Sequence, residues 1–321
     1  ATVSNTDNFE ILGIEMVYVP QGPFYAGDGR TTNTSNFSIG TTAQPVLITS
    51  TTQSSGIGTA LNYTSNTSYG SPVPLPSTFP LGYNGFYCMK YEATCGIFVE
   101  FLNLLTYDQQ TTMLQENGVA NLPNIVGSYF DMNNSWGFYN RVSTAGTYNT
   151  VPAVFTAPYP YLVEGTVTWR TMIAFLDWSG LRPMTEFEYE KACRGSNGGT
   201  TAMPAVPNEY PWGNTTISSQ QVASSYTDPT ASLGAIVEGP CFYSGRDGSA
   251  QRRGAFAKST TNRTQSGATY YGIMDMAGNC WEQCIGGGGY DYSGFTTTNG
   301  DGVLTAKGAA NVTGWPANGG L

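Results

Sequence analysis

One stretch constrains this chain more than any other: residues 270–284, YYGIMDMAGNCWEQC. Apolar Ile273, Met274, Met276 and Trp281 are interleaved with the oxygen-bearing Asp275, Asn279 and Glu282. The aromatic and aliphatic side chains are expected to anchor the segment in a core. Gly278, in its middle, lets the backbone turn tightly without a Cβ clash. The turn then presents carbonyls and carboxylates outward from that anchor.

The elements around it are short. Met16-Val17-Tyr18-Val19 is β-branched and aromatic and reads as a strand. Residues 20–23, PQGP, read as a turn, and Phe24 begins a second short strand running into a Gly turn. Val46-Leu47-Ile48 suggests another strand, and Tyr87, Met89 and Tyr91 alternate as one. Thr94 then offers a helix N-cap, and Ile97, Phe98, Phe101, Leu102 and Leu105 recur at helical spacing. A second helix is expected over 167–180, capped by Thr168, with Trp169, Met172, Ile173 and Leu176 facing inward and Gly180 at its stop. In residues 181–195, Thr185 and Glu188 form a T-x-x-E capping box. Glu186 and Arg194 suit the two ends of that helix's dipole, and Glu190 can pair with Arg194 one turn on.

The rest reads as loop. Residues 1–10 are a polar lead-in, 106–165 are loop-like, and 30–80 and 215–269 read as variable surface insertions. Arg246, Arg252, Arg253, Lys258 and Arg263 in the last of these are expected to form a solvated basic face. One domain is expected over 1–321.

Composition narrows the function. Charged residues make up 11% of the chain, against roughly 25% in an average soluble domain. Ser, Thr, Asn, Gln and Gly must therefore cover the surface, which suits an extracellular environment. A net charge of −9 repels phosphate backbones and excludes nucleic acid as an expected partner. No run of apolar residues is long enough to span a membrane. The start, ATVSNTDNFE, reads as if a signal peptide had been removed before a small residue, so the protein is expected to be secreted or at the cell surface. There is no histidine, which removes Ser-His-Asp and Cys-His mechanisms and a His general base.

The six cysteines, Cys88, Cys95, Cys193, Cys241, Cys280 and Cys284, show no C-x-x-C spacing. They are candidates for disulfides whose pairing stays open, or are buried small hydrophobes. Eight N-x-[ST] sequons, at Asn33, Asn36, Asn62, Asn66, Asn133, Asn214, Asn262 and Asn311, are candidate glycosylation sites, most of them in the variable loops.

Several blocks, taken in order, resemble the formylglycine-generating-enzyme-like family, also called the sulfatase-modifying-factor family. EMVYVPQGPFYAGDG is similar to its opening hairpin, and MKYEATCGIFVEFLN to its K-x-E-V-T-x-x-x-Y-x-x-F-L-N element, with Phe98 at the aromatic position. VTWRTMIAFLDWSG resembles V-x-W-x-D-A-x-A-Y-x-x-W, with Thr171 in place of the usual Asp. LRPMTEFEYEKACRG resembles R-L-P-T-E-x-E-W-E-x-A-x-R-G, YPWGN matches as it stands, and GIMDMAGNCWEQ resembles G-[LI]-x-D-M-x-G-N-x-W-E-W. The resemblance implies an α+β fold, an irregular variant of the C-type lectin fold with few helices, short antiparallel strands and long loops.

It also implies chemistry. A structural Ca²⁺ would be held by the side chains of Asp275 and Glu282 and the carbonyls of Gly278 and Cys280. Hard oxygen ligands of this mixed kind suit calcium; the alternative is that both carboxylates cap the turn and pair with an arginine. The enzymes of the family carry two catalytic, copper-binding cysteines in an R-G-G-[SG]-[WF] segment; the sequence reaches Leu321 before such a segment, and whether the chain is truncated or continues into one stays open. Cys280 and Cys284 have a different spacing and sit in a different motif, so they are expected to be packed or disulfide-bonded. Two functions are carried forward. One is a non-catalytic module for binding, adhesion or extracellular assembly, with an extracellular protein, a glycan or further copies of itself as partner. The other is a formylglycine-generating-type oxidase acting on a protein cysteine with copper.

Overall fold

A computed structural model describes residues 12–29, 45–51, 79–116, 142–144, 153–165, 167–197, 200–219, 235–242, 251–286 and 294–316. The lead-in 1–10, the sequons at Asn33, Asn36, Asn62, Asn66 and Asn133, and Arg246 lie outside the described residues. The elements in order are β1 (Met16–Val19), β2 (Phe24–Ala26), β3 (Val46–Ile48), β4 (Phe86–Met89), α1 (Cys95–Asn103), α2 (Tyr107–Glu116), β5 (Ser143–Thr144) and β6 (Phe155–Thr156). They continue with α3 (Trp169–Trp178), α4 (Glu186–Arg194), β7 (Ser196–Asn197), β8 (Thr201–Ala202), β9 (Ser218–Ser219), β10 (Pro240–Cys241) and α5 (Arg263–Ser266). The class is mixed α+β. The strands form two-stranded ladders, antiparallel except for β9 with β10, which is parallel.

The opening strands do not form the expected hairpin. β1 pairs antiparallel with β4, Met16 opposite Met89 and Val19 opposite Phe86, while β2 pairs with β3. Pro20 and Pro23 carry no amide donor and so cannot close a tight ladder between β1 and β2. Instead Gly22 donates its N–H to the carbonyl of Tyr83, which commits the turn to the segment before β4.

The helices are capped as their sequences predict. Thr94, Thr168 and Thr185 each accept from the backbone N–H three residues on. At α4 the box is closed by Glu188, whose carboxylate accepts from the N–H of Thr185 and from the guanidinium of Arg182. The buried stripe of α3 differs from the expected one. Trp169, Met172 and Leu176 are half-buried, and Thr171, Ile173, Ala174, Phe175 and Asp177 are buried. Phe175 stacks on Phe98 at 4.8 Å and meets Phe101 edge-on at 5.7 Å, so α1 and α3 share an aromatic core. A second cluster gathers Phe24, Phe79, Phe187 and Trp315, and Leu176 packs against both.

Two helices arise where loop was expected. α2, YDQQTTMLQE, lacks an apolar period, yet it is tied in by Gln110. That buried amide donates to the carbonyls of Leu102 and Ala153 and accepts from the N–H of Ala153. α5 is a single turn with an Asn262–Gln265 capping box and a left-handed Gly267 at its end. The basic residues nearby do not form one solvated face. Arg263 donates to the carbonyls of Pro211 and Ala268 and lies over the Tyr270 ring, and Arg253 lies over Tyr91.

Candidate functional site

The organising stretch closes on itself before it reaches the site. The N–H of Ile273 donates to Thr269 Oγ1, and Met274 donates to the carbonyl of Lys90 beyond β4. Ile273, Met274 and Met276 are buried as expected; Ile273 and Met276 pack with Val19, Ala192 and Cys193, and the Met276 carbonyl accepts from Tyr189 Oη. At the far end Ile285 bridges to Thr185, donating to the Met184 carbonyl and accepting from Glu186. The segment is thus pinned between β4 and the start of α4.

Between those pins the backbone curls. Asp275, Gly278 and Asn279 all have positive φ, at 61°, 82° and 72°. A side chain at Gly278 would be forced against the carbonyl of Phe242, so the position needs glycine for its close approach as well as its φ. Asn279 donates its N–H to that same carbonyl, accepts from the N–H of Gln251 at 2.7 Å, and donates through Nδ2 to Glu92. The other oxygen of Glu92 accepts from the N–H of Cys280 at 2.9 Å. Glu92 therefore clamps the turn from a distance of nearly two hundred residues in sequence. It stands in the K-x-E block, where the sequence reading saw only a structural element.

Three carboxylates meet here. Asp275 accepts from the N–H of Gly254 through one oxygen, and Glu282 Oε1 is buried without a hydrogen-bond partner. Burial pushes Asp275 up to about 6 and Glu282 up to about 8, and lifts Glu92 well above the usual carboxylate range. The charge of Asp275 adds to the rise at Glu282, and both add to it at Glu92. Among the described residues no three His, Cys, Asp or Glu side chains converge as a metal-holding group by themselves. The expected calcium set is of another kind, two carboxylates and two backbone carbonyls, and two buried acids side by side, each with a second oxygen to spare, fit a hard cation.

Trp281 does not anchor the core. It is 95% exposed, flanked by residues that turn inward. Cys280, Glu282 and Gln283 beside it are half-buried, and the indole is the side chain left outside. Trp281 borders a cavity of about 870 Å³, whose wall also includes Tyr87, Glu92, Arg182, Glu282 and Gln283. Tyr87 is 67% exposed.

The cysteines divide between two surroundings. Cys88 on β4 and Cys193 on α4 share the cluster under the site, and Cys284 follows it. Burial pushes the Cys88 thiol up to about 12 and lifts those of Cys193 and Cys284 well above the usual range, with Glu282 adding to each. Cys95 donates to Glu164 at 3.4 Å at the start of α1, and Cys241 is buried in β10. The Cys280 sulfur lies against Gly165 so closely that a Cβ there would meet it at 2.4 Å. Of the described sequons, Asn262 and Asn311 are exposed, while the half-buried Asn214 accepts from Trp212 Nε1 and the N–H of Thr216.

The frame of capped short helices, the glycine turn and the clamped acidic segment define a protein of the sulfatase-modifying-factor type. A family model for the sulfatase-modifying factor enzyme 1-like domain matches residues 6–286, and the chain belongs to that family. No curated protein and no solved structure gave a significant match. No helix among the described residues is long and apolar enough to cross a membrane.

Proposed function

We propose that this chain is a non-catalytic, lectin-like module of the secreted or cell-surface kind, used in binding, adhesion or the building of an extracellular assembly. The observation that carries the reading is the cavity beside the clamped turn, with Trp281 almost wholly exposed at its edge. An indole left in water at the mouth of a cavity is what a recognition site presents before its ligand arrives. The thiols of Cys88, Cys193 and Cys284 support the same reading. Their environment favours the protonated form, whereas nucleophilic or metal-binding sulfur chemistry needs thiolate.

A structural Ca²⁺ belongs to this proposal, held by the carboxylates of Asp275 and Glu282 and the carbonyls of Gly278 and Cys280. It would neutralise acids that burial otherwise disfavours in ionised form. Partners of this module are an extracellular protein, a glycan or further copies of the chain. All six cysteines are free thiols in this structure, and glycans on the exposed sequons are compatible with the setting and part of the proposal.

Family membership favours a second reading, a formylglycine-generating-type oxidase acting on a protein cysteine with copper. One experiment separates them. The purified protein is incubated with a cysteine-containing peptide, copper(I) and oxygen, and the peptide is followed by mass spectrometry for aldehyde formation, with sizing of the native protein alongside. The binding reading expects unchanged peptide. Catalytic turnover that depends on copper would replace it with the oxidase.

A further inference from the structure

We infer that the cavity beside Trp281 is a saccharide-binding site, in which a sugar ring lies on the indole and its hydroxyls reach Gln283 and Glu282. This rests on the binding reading above and gives it a ligand class.

Several polar groups on the wall are already committed. Both oxygens of Glu92 hold the turn, one on Asn279 and one on Cys280. Glu188 is engaged by the Arg182 guanidinium, at 2.8 and 2.5 Å, and by the N–H of Thr185. That pair puts a plus and a minus charge together on the wall and leaves neither to recruit an ion. Two buried side-chain oxygens of the wall stand open, Glu282 Oε1 and Gln283 Oε1. Both are buried, both belong to residues lining the cavity, and neither has a partner among the described residues. A buried acceptor without a donor costs on the order of 1–3 kcal/mol, so adjacent residues carrying one each call for a ligand rich in donors.

The apolar half of the recognition is aromatic. Trp281 and Tyr87 both line the cavity while exposing most of their surface. A pyranose ring offers a flat C–H face to such a ring and hydroxyl donors at its edge, which matches an exposed indole followed directly by two open acceptors. An organic cation, an ammonium or guanidinium group, is the weaker match, because Arg182 already stands on the wall and one of the open acceptors is a neutral amide. At about 870 Å³ the space is sufficient for more than one sugar unit. It lies within the range of about 300–1,000 Å³ usual for small-ligand sites.

The test uses the whole chain in calcium-containing buffer. The probes are methyl glycosides of glucose, galactose, mannose, fucose and N-acetylglucosamine, with linear di- and trisaccharides built from them. N-acetyl-arginine methylamide and N-acetyl-lysine methylamide are titrated in parallel. Binding is read by saturation-transfer NMR and by titration calorimetry. At least one saccharide is expected to bind. Trp281→Ala and Gln283→Leu are each expected to weaken it by about tenfold, the loss expected for one anchoring contact. Leu104→Ala, at an exposed site at the end of α1, is expected to leave it unchanged. Trp281 is too exposed for its removal to disturb folding, so that variant remains informative if Gln283→Leu is unstable. Failure of every saccharide to bind overturns the inference, as does equal affinity in wild type and Trp281→Ala, or binding of the cationic amides alone. Peptide oxidation in the separate turnover assay would overturn the non-catalytic reading without bearing on saccharide binding, so the two failures are told apart.

Discussion

Lys191 shows how much a single residue can hold. Its ammonium is fully buried in α4 and donates to three successive carbonyls, those of Gly82, Tyr83 and Asn84, at 2.9–3.0 Å. It also lies over the rings of Phe24 and Phe86. One side chain thus ties the segment leading into β4 to the helix that pins the acidic turn. Lys191→Met keeps the length but takes the ammonium from all three carbonyls, of which that of Tyr83 keeps the N–H of Gly22, and is expected to cost about 3 kcal/mol. Urea unfolding at constant m-value checks this; a change within a few tenths of a kcal/mol would remove Lys191 from its role. The buried thiols make a second prediction at this scale. Cys88, Cys193 and Cys284 have thiol pKa values raised by burial in the folded chain. The unfolded chain therefore loses these protons first as pH rises. Their contribution to stability is fully present below the ordinary thiol value of 9.0 and is lost between there and, for Cys88, about 12. Stability is expected to fall steeply above pH 9, at up to about 1.4 kcal/mol per pH unit for each thiol. In Cys88→Ala the alkaline limb should be shallower; identical limbs would mean that other groups cause it.

At the scale of elements, α3 does more than pack. Its buried Asp177 accepts from the N–H of Asp301 through one oxygen and from that of Asn311 through the other, while its carbonyl accepts from Gly302. A helix near the middle of the chain therefore organises the segment 300–311. Asp177→Ala is expected to cost about 3 kcal/mol and to speed amide exchange at Asp301 and Asn311 well before α1 is affected. Exchange that rises uniformly across α1, α3 and this segment would show global loosening instead. α1, α3 and α4 were legible in sequence because a Thr cap, with a Glu at the third position and a terminal Gly at α4, acts within one turn of chain. α2 was not legible, because its stabilising contacts come from Gln110 reaching Leu102 and Ala153, and no local period encodes them. The β1–β2 hairpin failed for the matching reason: two prolines deny the local ladder, and the partner strand lies far along the chain.

For the whole molecule the question is what balances the buried acids. Asp275, Glu92 and Glu282 lie within electrostatic reach of one another in a chain already at −9. If Ca²⁺ occupies the turn, a chelator should lower the melting temperature, and calcium at a hundredfold its dissociation constant should add about 2.7 kcal/mol. The calorimetric heat of calcium binding should vanish in Asp275→Ala. Equal heats in wild type and variant would leave the acids to be balanced by protons instead.

The sequence by itself determined the local grammar: where helices start and stop, which strands are β-branched, and the turn built on Gly278 with Asp275 and Glu282 on either side. Those features depend on contacts within a few residues, so they are written where they act. Only the tertiary structure decided that Glu92 clamps that turn, that β1 pairs with β4, and that Trp281 stands in water while its neighbours are half-buried. Each of these is settled by a partner far away in sequence. Such pairings are chosen by the packing of the whole chain, and no short window of residues contains the information.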